Sequence, residues 1–126
     1  MYSVPIRTYQ DLNVDKEAHR LALDVSETAR KLPRHEQFEL GRQLRNAARS
    51  VPANIVEGWA KKASAPEFKR YLMIAIGSCD ESKFWLELNR DEGYAGSAEA
   101  DALGNRFNLV GAMLKSLWKN WKNFAT

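Results

Sequence analysis

The last quarter of the chain carries an unbroken helical repeat, and this repeat constrains the fold more than any other feature of the sequence. Between about residues 98 and 124, apolar residues recur at alternating steps of four and three. They are Leu103, Phe107, Val110, Leu114, Leu117, Trp121 and Phe124. A helix with this spacing packs against other helices at a shallow angle. The segment therefore predicts one member of a helical bundle.

Proline and turn-forming residues divide the rest of the chain into three further helical segments. The apolar spacing predicts helices at about 9–32, 35–62 and 65–92, which short connections join to the helix at about 98–124. Ser64 to Glu67 has the spacing of a capping box, and Gly93 suits a helix end with positive φ. The 126 residues allow one core. We predict an all-α protein with a single domain, residues 1–126, that folds as an antiparallel up-down four-helix bundle.

Pro52 lies inside the second helical segment and is the main obstacle to this interpretation. An interior proline removes one backbone hydrogen bond and costs about 3 kcal/mol. The apolar spacing nevertheless continues through it. We predict a continuous, kinked helix in which neighbouring polar groups such as Ser50 and Asn54 relieve the disturbance.

The third helical segment has two apolar stripes, whereas one is enough for a bundle. The first consists of Phe68, Leu72, Ala75, Cys79, Ser82 and Leu86. The second consists of Tyr71, Ile74, Ser78, Trp85 and Leu88. The second stripe has no obvious partner among four helices, and the chain carries more large aromatic residues than a small bundle needs. We predict a homo-oligomer in which Tyr71 or Trp85 is partly buried between subunits.

The sequence argues against catalysis, metal binding and cofactor binding. A di-iron bundle needs Glu-x-x-His pairs, and neither His19 nor His35 follows a glutamate by three residues. Nucleotide-binding and hydrolase motifs are also missing from the sequence. The single Cys79 lies on an apolar stripe, which favours a small buried residue over a reactive thiol. Because these motifs are missing, we expect a non-enzymatic protein without cofactor. The sequence shows no targeting segment or membrane span, so we also expect a soluble, cytoplasmic protein.

The charge is concentrated on the second and fourth helical segments. The chain has 19 Lys and Arg against 16 Asp and Glu, and residues 34–62 carry a net charge of +3. Arg42, Arg45 and Arg49 lie on one side of the second segment, opposite its apolar side. Arg45 and Arg49 have no acidic residue three or four positions away, so their partners must lie elsewhere. Nucleic-acid phosphates would satisfy them, and so would acids on another helix or subunit.

A second basic stripe lies on the fourth segment. Lys115, Lys119 and Lys122 share one helical side, with Trp118 beside them. Lysines next to an exposed aromatic ring suit a phosphate backbone with stackable bases. The alternative is an ordinary solvated surface, with Trp118 packed inside the bundle or against another subunit.

Two sequence motifs resemble a known protein family. They are the run Ser50-Val-Pro-Ala-Asn-Ile55 with Glu57-Gly58, and the run Glu67-Phe68-x-x-Tyr71-Leu72-x-x-Ala75 with Gly77-Ser78 and Glu81. Both resemble the four-helix bundle family encoded in intervening sequences of bacterial 23S ribosomal RNA genes. The resemblance covers about residues 9–94. It implies a non-catalytic bundle that assembles as a homopentamer. The family is also similar to the accessory variability determinant of diversity-generating retroelements, which binds nucleic acid and a reverse transcriptase.

Two functional hypotheses follow. In the first, a ring-forming bundle binds RNA or DNA without sequence specificity through Arg42, Arg45, Arg49, Lys115, Lys119 and Lys122, with Trp118 as a stacking residue. In the second, the protein is an interaction scaffold or accessory subunit, for example of a reverse transcriptase, and has no direct nucleic-acid role. Steep weakening of nucleic-acid binding by salt would distinguish the first from the second.

Overall fold

The protein is all-α and forms a four-helix bundle. The computed structural model describes residues 6–121. The helices are α1 (Asn13–Arg30), α2 (Leu40–Ala60), α3 (Ala65–Asp91) and α4 (Ser97–Asn120). Two short 3-10 helices, Tyr9–Asp11 and Arg34–Glu36, precede α1 and α2. The predicted fold class is confirmed, and the up-and-down order of all four helices stays a prediction.

The helix termini follow local signals in most places. Ser64 accepts a hydrogen bond from the backbone N–H of Glu67 at 3.3 Å, as the capping box predicts. Gly93 has a φ of 84°, so the predicted positive-φ residue ends the turn after α3. The start of α2 differs from the prediction by five residues, because it lies at Leu40 instead of residue 35. The intervening residues form a 3-10 helix and a turn.

Side-chain hydrogen bonds hold the connection between α1 and α2 and keep it from continuing as an α-helix. The Gln37 Nε2 donates to the carbonyl oxygens of Ala29 at 3.0 Å and Leu32 at 2.8 Å, where α1 ends. Helix C-termini leave such carbonyls without backbone partners. The amide of Gln37 therefore caps α1, and this bonding competes with an earlier start of α2.

The core lies between the predicted apolar stripes. On α3, all six residues of the first stripe are buried. On α4, Leu103, Phe107, Val110 and Leu114 are buried, and Leu117 and Trp121 pack against the core. Phe124 lies outside the described residues. Each helix packs beside its neighbour in the chain, and α1 also packs against α4, so α2 and α4 lie across the bundle from each other.

The second helix continues through Pro52, as predicted. The Ser50 hydroxyl donates to the carbonyl oxygen of Ala47 at 2.9 Å, and the Asn54 Nδ2 donates to that of Ser50 at 2.7 Å. Buried Val51 and Ile55 flank the proline on the core side. Packing of these residues compensates for the missing backbone bond, so the helix is retained.

Candidate nucleic-acid interface

Two of the three predicted arginines present free guanidinium groups. Arg42 and Arg49 lie on the exposed side of α2. Within residues 6–121 neither takes part in a hydrogen bond or an ion pair. Arginine binds phosphate well because its planar group offers paired donors. Arg42 and Arg49 are thus open to an external anion.

Arg45 is different, because the protein itself occupies its guanidinium group. Arg45 is half-buried, and its Nη2 donates to the carbonyl oxygen of Gln37 at 2.8 Å. Its Nη1 lies 3.5 Å from the Oε1 of the same residue. Within the described residues, the partner of Arg45 outside its own turn is the connection before α2. Arg45 anchors the glutamine that caps α1.

The lysines of α4 surround a partly exposed tryptophan. Lys115 and Lys119 are exposed, and in the described part of the chain neither takes part in a hydrogen bond or ion pair. Trp118 is 39% exposed, and the Lys69 Nζ lies 5.2 Å from the centroid of its ring. Lys122 lies outside the described residues. Three lysine charges and one aromatic ring thus share this surface, which we call the Trp118 patch: Lys69, Lys115, Trp118 and Lys119.

The Trp118 patch lies at an end of the bundle where further cations meet aromatic rings. Trp121, which follows α4, packs its ring 4.5 Å from that of Phe68 and 6.2 Å from that of Trp59, centroid to centroid. The Lys62 Nζ lies 4.8 Å from the centroid of Trp59. At this distance the ammonium group of Lys62 is attracted to the face of the Trp59 ring.

Sequence reasoning missed Lys69 because charge was summed over long segments. Residues 63–97 carry a net charge of −2, and this total hides the pair Lys69 and Arg70 at the start of α3. Arg70 is paired with Glu67, with its Nε 3.0 Å from the Oε2. Lys69 has no such partner, and its place beside Trp118 depends on contact between α3 and α4. A spacing rule within one helix cannot find such a pair.

The two predicted basic stripes do not form one surface within a subunit. Arg42 and Arg49 belong to α2, and Lys115 and Lys119 belong to α4, across the bundle. Arg42 also lies near the start of α2, whereas Trp59, whose ring packs against that of Trp121, lies at the end of α2. With a rise of about 1.5 Å per residue, these two points on α2 are roughly 25 Å apart. The stripes are separate patches.

The predicted interface residues on α3 are half-buried within their own chain. The Trp85 Nε1 donates to the Oε2 of Glu81 at 3.0 Å. The ring of Tyr71 lies under Arg70, whose Cζ is 4.6 Å from the ring centroid, and Lys61 Nζ is 5.5 Å from it. A role for Tyr71 or Trp85 between subunits stays a prediction. The large apolar residues that α3 leaves exposed are Met73, Ile74 and Phe84.

The described residues offer no centre for metal or thiol chemistry. Within residues 6–121, no group of three or more His, Cys, Asp or Glu side chains could hold a metal ion. Cys79 is buried, and burial raises the pKa of its thiol to about 12. A thiol with this pKa is almost fully protonated at neutral pH and is a poor nucleophile. None of the helices in that range combines the length and apolar character that a membrane span requires.

Comparison with known proteins identifies the family. A sequence model of the 23S rRNA-intervening sequence protein family matches residues 10–116. The chain belongs to this family. The family assignment confirms the resemblance carried by the runs around Pro52 and Tyr71 and extends it into α4. The comparison with curated proteins gives no match.

One matching crystal structure has the same fold. It is described as a protein of unknown function from the S23 ribosomal protein family of Bacteroides thetaiotaomicron. It superposes with a TM-score of 0.77 at 23% sequence identity, over 85% of this chain and 99% of the other. This chain and that crystal structure therefore share the bundle.

Proposed function

We propose that this protein is a non-enzymatic bundle that binds RNA or DNA through phosphate contacts. The observation that carries the proposal is the Trp118 patch, where Lys115 and Lys119 have no protein partner in the described residues and flank a partly exposed ring. Lysines without a partner can turn toward phosphate without first breaking an ion pair. Arg42 and Arg49 supply a second set of contacts on α2. We leave Arg45 out of the contact surface, since its guanidinium group is bound to Gln37.

Binding of this kind does not read sequence. Contacts to phosphate position a protein on the backbone, whereas sequence is read by groups that enter a groove or bind base edges. Each neutralised phosphate releases condensed counterions, so the affinity falls with salt by a log–log slope of roughly 0.7 to 0.9 per contact. We expect similar affinities for unrelated sequences and a steep salt dependence.

The test compares two variants that lose the same charge. In K115Q/K119Q the charge is removed from the Trp118 patch. In K16Q/R20Q two charges are removed from α1. Lys16 and Arg20 are exposed, and their side chains take part in no hydrogen bond or ion pair within residues 6–121. Fluorescence anisotropy with labelled RNA and DNA at several salt concentrations gives affinity and slope. We expect K115Q/K119Q to weaken binding and to flatten the slope by about one to two units.

The control decides whether the patch or only the net charge matters. If K16Q/R20Q binds as tightly as the parent while K115Q/K119Q does not, the lysines of α4 contact phosphate. Equal losses in both variants would contradict the proposed site and leave only a general charge effect. No saturable binding by the parent protein would contradict the proposed function itself.

A second candidate function is an interaction scaffold built by self-association, and the exposed apolar residues of α3 favour it. Met73 and Phe84 are each 52% exposed and share one helical side, and Ile74 is 41% exposed about 100° around the helix from Met73. Exposed apolar surface of this kind is typical of protein interfaces. The homopentamer implied by the family resemblance would use such a surface, and a reverse transcriptase is the partner that the same resemblance suggests.

Light scattering tests the scaffold directly. We expect a mass several-fold above 14.4 kDa for the parent and a smaller mass for I74K. L109K is the control, because Leu109 is an exposed apolar residue of a different helix, α4. A parent mass near that of one chain would contradict self-association.

A further inference from the structure

An exposed phenylalanine, Phe38, lies in the turn before α2. Phe38 is 73% exposed, more than any other large hydrophobic residue in the described chain. Within residues 6–121 its ring makes no contact with another aromatic ring or a cation. Trp118, by comparison, is less exposed and already lies beside Lys69. Phe38 thus offers a ring face that is open to a ligand.

The backbone that carries Phe38 is held in place on both sides. The residue before it, Gln37, donates from its side chain to the end of α1 and accepts from Arg45 at its carbonyl oxygen. The residue after it, Glu39, donates from its backbone N–H to the carbonyl oxygen of Glu36 at 3.2 Å. The backbone of the turn is therefore fixed, and only the side-chain torsions of Phe38 have to be ordered when a ligand binds.

Two arginines lie close to Phe38 in the sequence. Arg34 and Arg42 lie four residues before and four residues after Phe38 and are exposed. Within the described range, the side chain of neither takes part in a hydrogen bond or an ion pair. Two acids lie nearby. Glu36 is hydrogen-bonded to Tyr94 and raises the pKa of its hydroxyl, whereas Glu39 is exposed.

The net charge of this segment is positive. Residues 34–49 carry a net charge of +2, because Arg34, Arg42, Arg45 and Arg49 outnumber Glu36 and Glu39. An open ring on a basic segment matches a nucleobase with its adjoining phosphates, because the base stacks on the ring and the phosphates bind the guanidinium groups. Glu39 repels an acidic peptide as much as it repels phosphate, so charge alone does not distinguish these two partners. A nucleic acid also supplies bases that can stack on the ring.

We propose that Arg34, Phe38 and Arg42 form a contact for single-stranded nucleic acid, with Phe38 as the stacking residue. This inference rests on the proposed function and assigns the strand state that the protein prefers. In a duplex both faces of each base are covered by neighbouring bases, so the ring has nothing to stack on. In a single strand, a base can separate from its neighbours and stack on the ring. Single strands therefore gain the Phe38 contact and duplexes do not.

The experiment replaces the ring without removing its apolar character. F38L keeps an apolar side chain but has no aromatic face, and F38W keeps the face. L23A is the control, because Leu23 is an exposed apolar residue of α1 and belongs to neither proposed surface. Affinities are measured for a single-stranded oligonucleotide and for its duplex. A single-stranded probe containing 2-aminopurine reports stacking through quenching of its fluorescence.

We expect F38L to bind the single strand about tenfold more weakly than the parent, which is the size of one lost base–aromatic contact. F38W and L23A keep parental affinity, and the duplex affinity of F38L stays within twofold of the parent. Quenching of 2-aminopurine occurs with the parent and F38W but not with F38L.

Three results would overturn the inference. If F38L binds the single strand within twofold of the parent and quenching persists, Phe38 does not stack, although the proposed function stands. If F38L weakens single-strand and duplex binding equally, the assignment of strand state is wrong. If the parent binds neither form, the proposed function and this inference fall together.

Discussion

Replacing Gly58 by alanine tests how closely α2 and α3 approach each other. Gly58 is buried in α2, and a Cβ built on it would lie 2.9 Å from the Cβ of Tyr71 and 3.1 Å from the Cδ1 of Phe68. It would also lie 3.4 Å from the carbonyl oxygen of Phe68. A Cβ sits next to the backbone and cannot rotate away. An added methyl group at residue 58 therefore has to push the two helices apart.

The expected change in stability follows from two opposing effects. Alanine is favoured over glycine inside a helix by about 1 kcal/mol. Overpacking a closely packed site costs typically about 1–3 kcal/mol. We therefore expect Gly58→Ala to lower the free energy of unfolding by about 1 kcal/mol. For a domain of this size, that is a fall of roughly 4 °C in Tm.

Gly77 is the matched control, because it lies in α3 and a Cβ built on it would meet nothing within 4 Å. Gly77→Ala keeps the gain in helix propensity and has no steric cost, so we expect it to raise the free energy of unfolding by about 0.5–1 kcal/mol. Urea denaturation followed by circular dichroism measures both variants. If Gly58→Ala were as stable as Gly77→Ala, the close approach of the two helices would not limit the size of residue 58.

Three further predictions concern single buried or paired side chains. The Oδ1 of Asn89 is buried and accepts no hydrogen bond within residues 6–121, so Asn89→Leu should raise the free energy of unfolding by about 1 kcal/mol in urea denaturation, and a loss would contradict this. Cys79, with a pKa of about 12, should resist Ellman's reagent at pH 8 in the folded protein and react fully in urea, whereas fast reaction of the folded protein would show an accessible thiolate. The pKa of Glu99 is lowered by hydrogen bonds from Thr28 and Lys31, so its contribution to stability is present above the unfolded pKa and is lost as the pH falls through the folded one. Glu99→Gln should therefore destabilise the protein at pH 7 and converge with the parent in acid melts, and a difference independent of pH would exclude the charge as the cause.

The parts of the fold that could be predicted from the sequence depend on residues close together in the chain. The capping spacing of Ser64 and the four-three repeat of α4 act within one or two helical turns, and the structure confirms both. The continuity of α2 through Pro52 was also predictable, because the apolar spacing on both sides of the proline is in phase. Periodicity reports such local geometry directly.

The rest depends on contacts that no spacing rule contains. The start of α2 was placed too early, because Gln37 caps the end of α1 through its side chain instead of continuing a helix. The spacing leaves Arg45 and Arg49 alike without an intrahelical acid, yet the Arg45 guanidinium bonds to that connection and the side chain of Arg49 makes no hydrogen bond or ion pair within residues 6–121. The open ring of Phe38 was missed because exposure is a property of the folded chain.

The seam between α1 and α4 has a consequence for the entropy of folding. Every other pair of packed helices is consecutive in the chain, whereas this pair has to close a loop of more than 60 residues, as the hydrogen bond from the Thr28 hydroxyl to Glu99 at 2.7 Å shows. The Arg106 Nη1 also lies 2.6 Å from the Oδ2 of Asp24, with both side chains partly exposed. Long-range closure is slow because its entropy is lost before its contacts form, and partly exposed ion pairs are screened by salt. Closing this seam therefore has the largest loop entropy cost among the helix contacts of the bundle, and rising ionic strength weakens the Arg106–Asp24 pair that spans it.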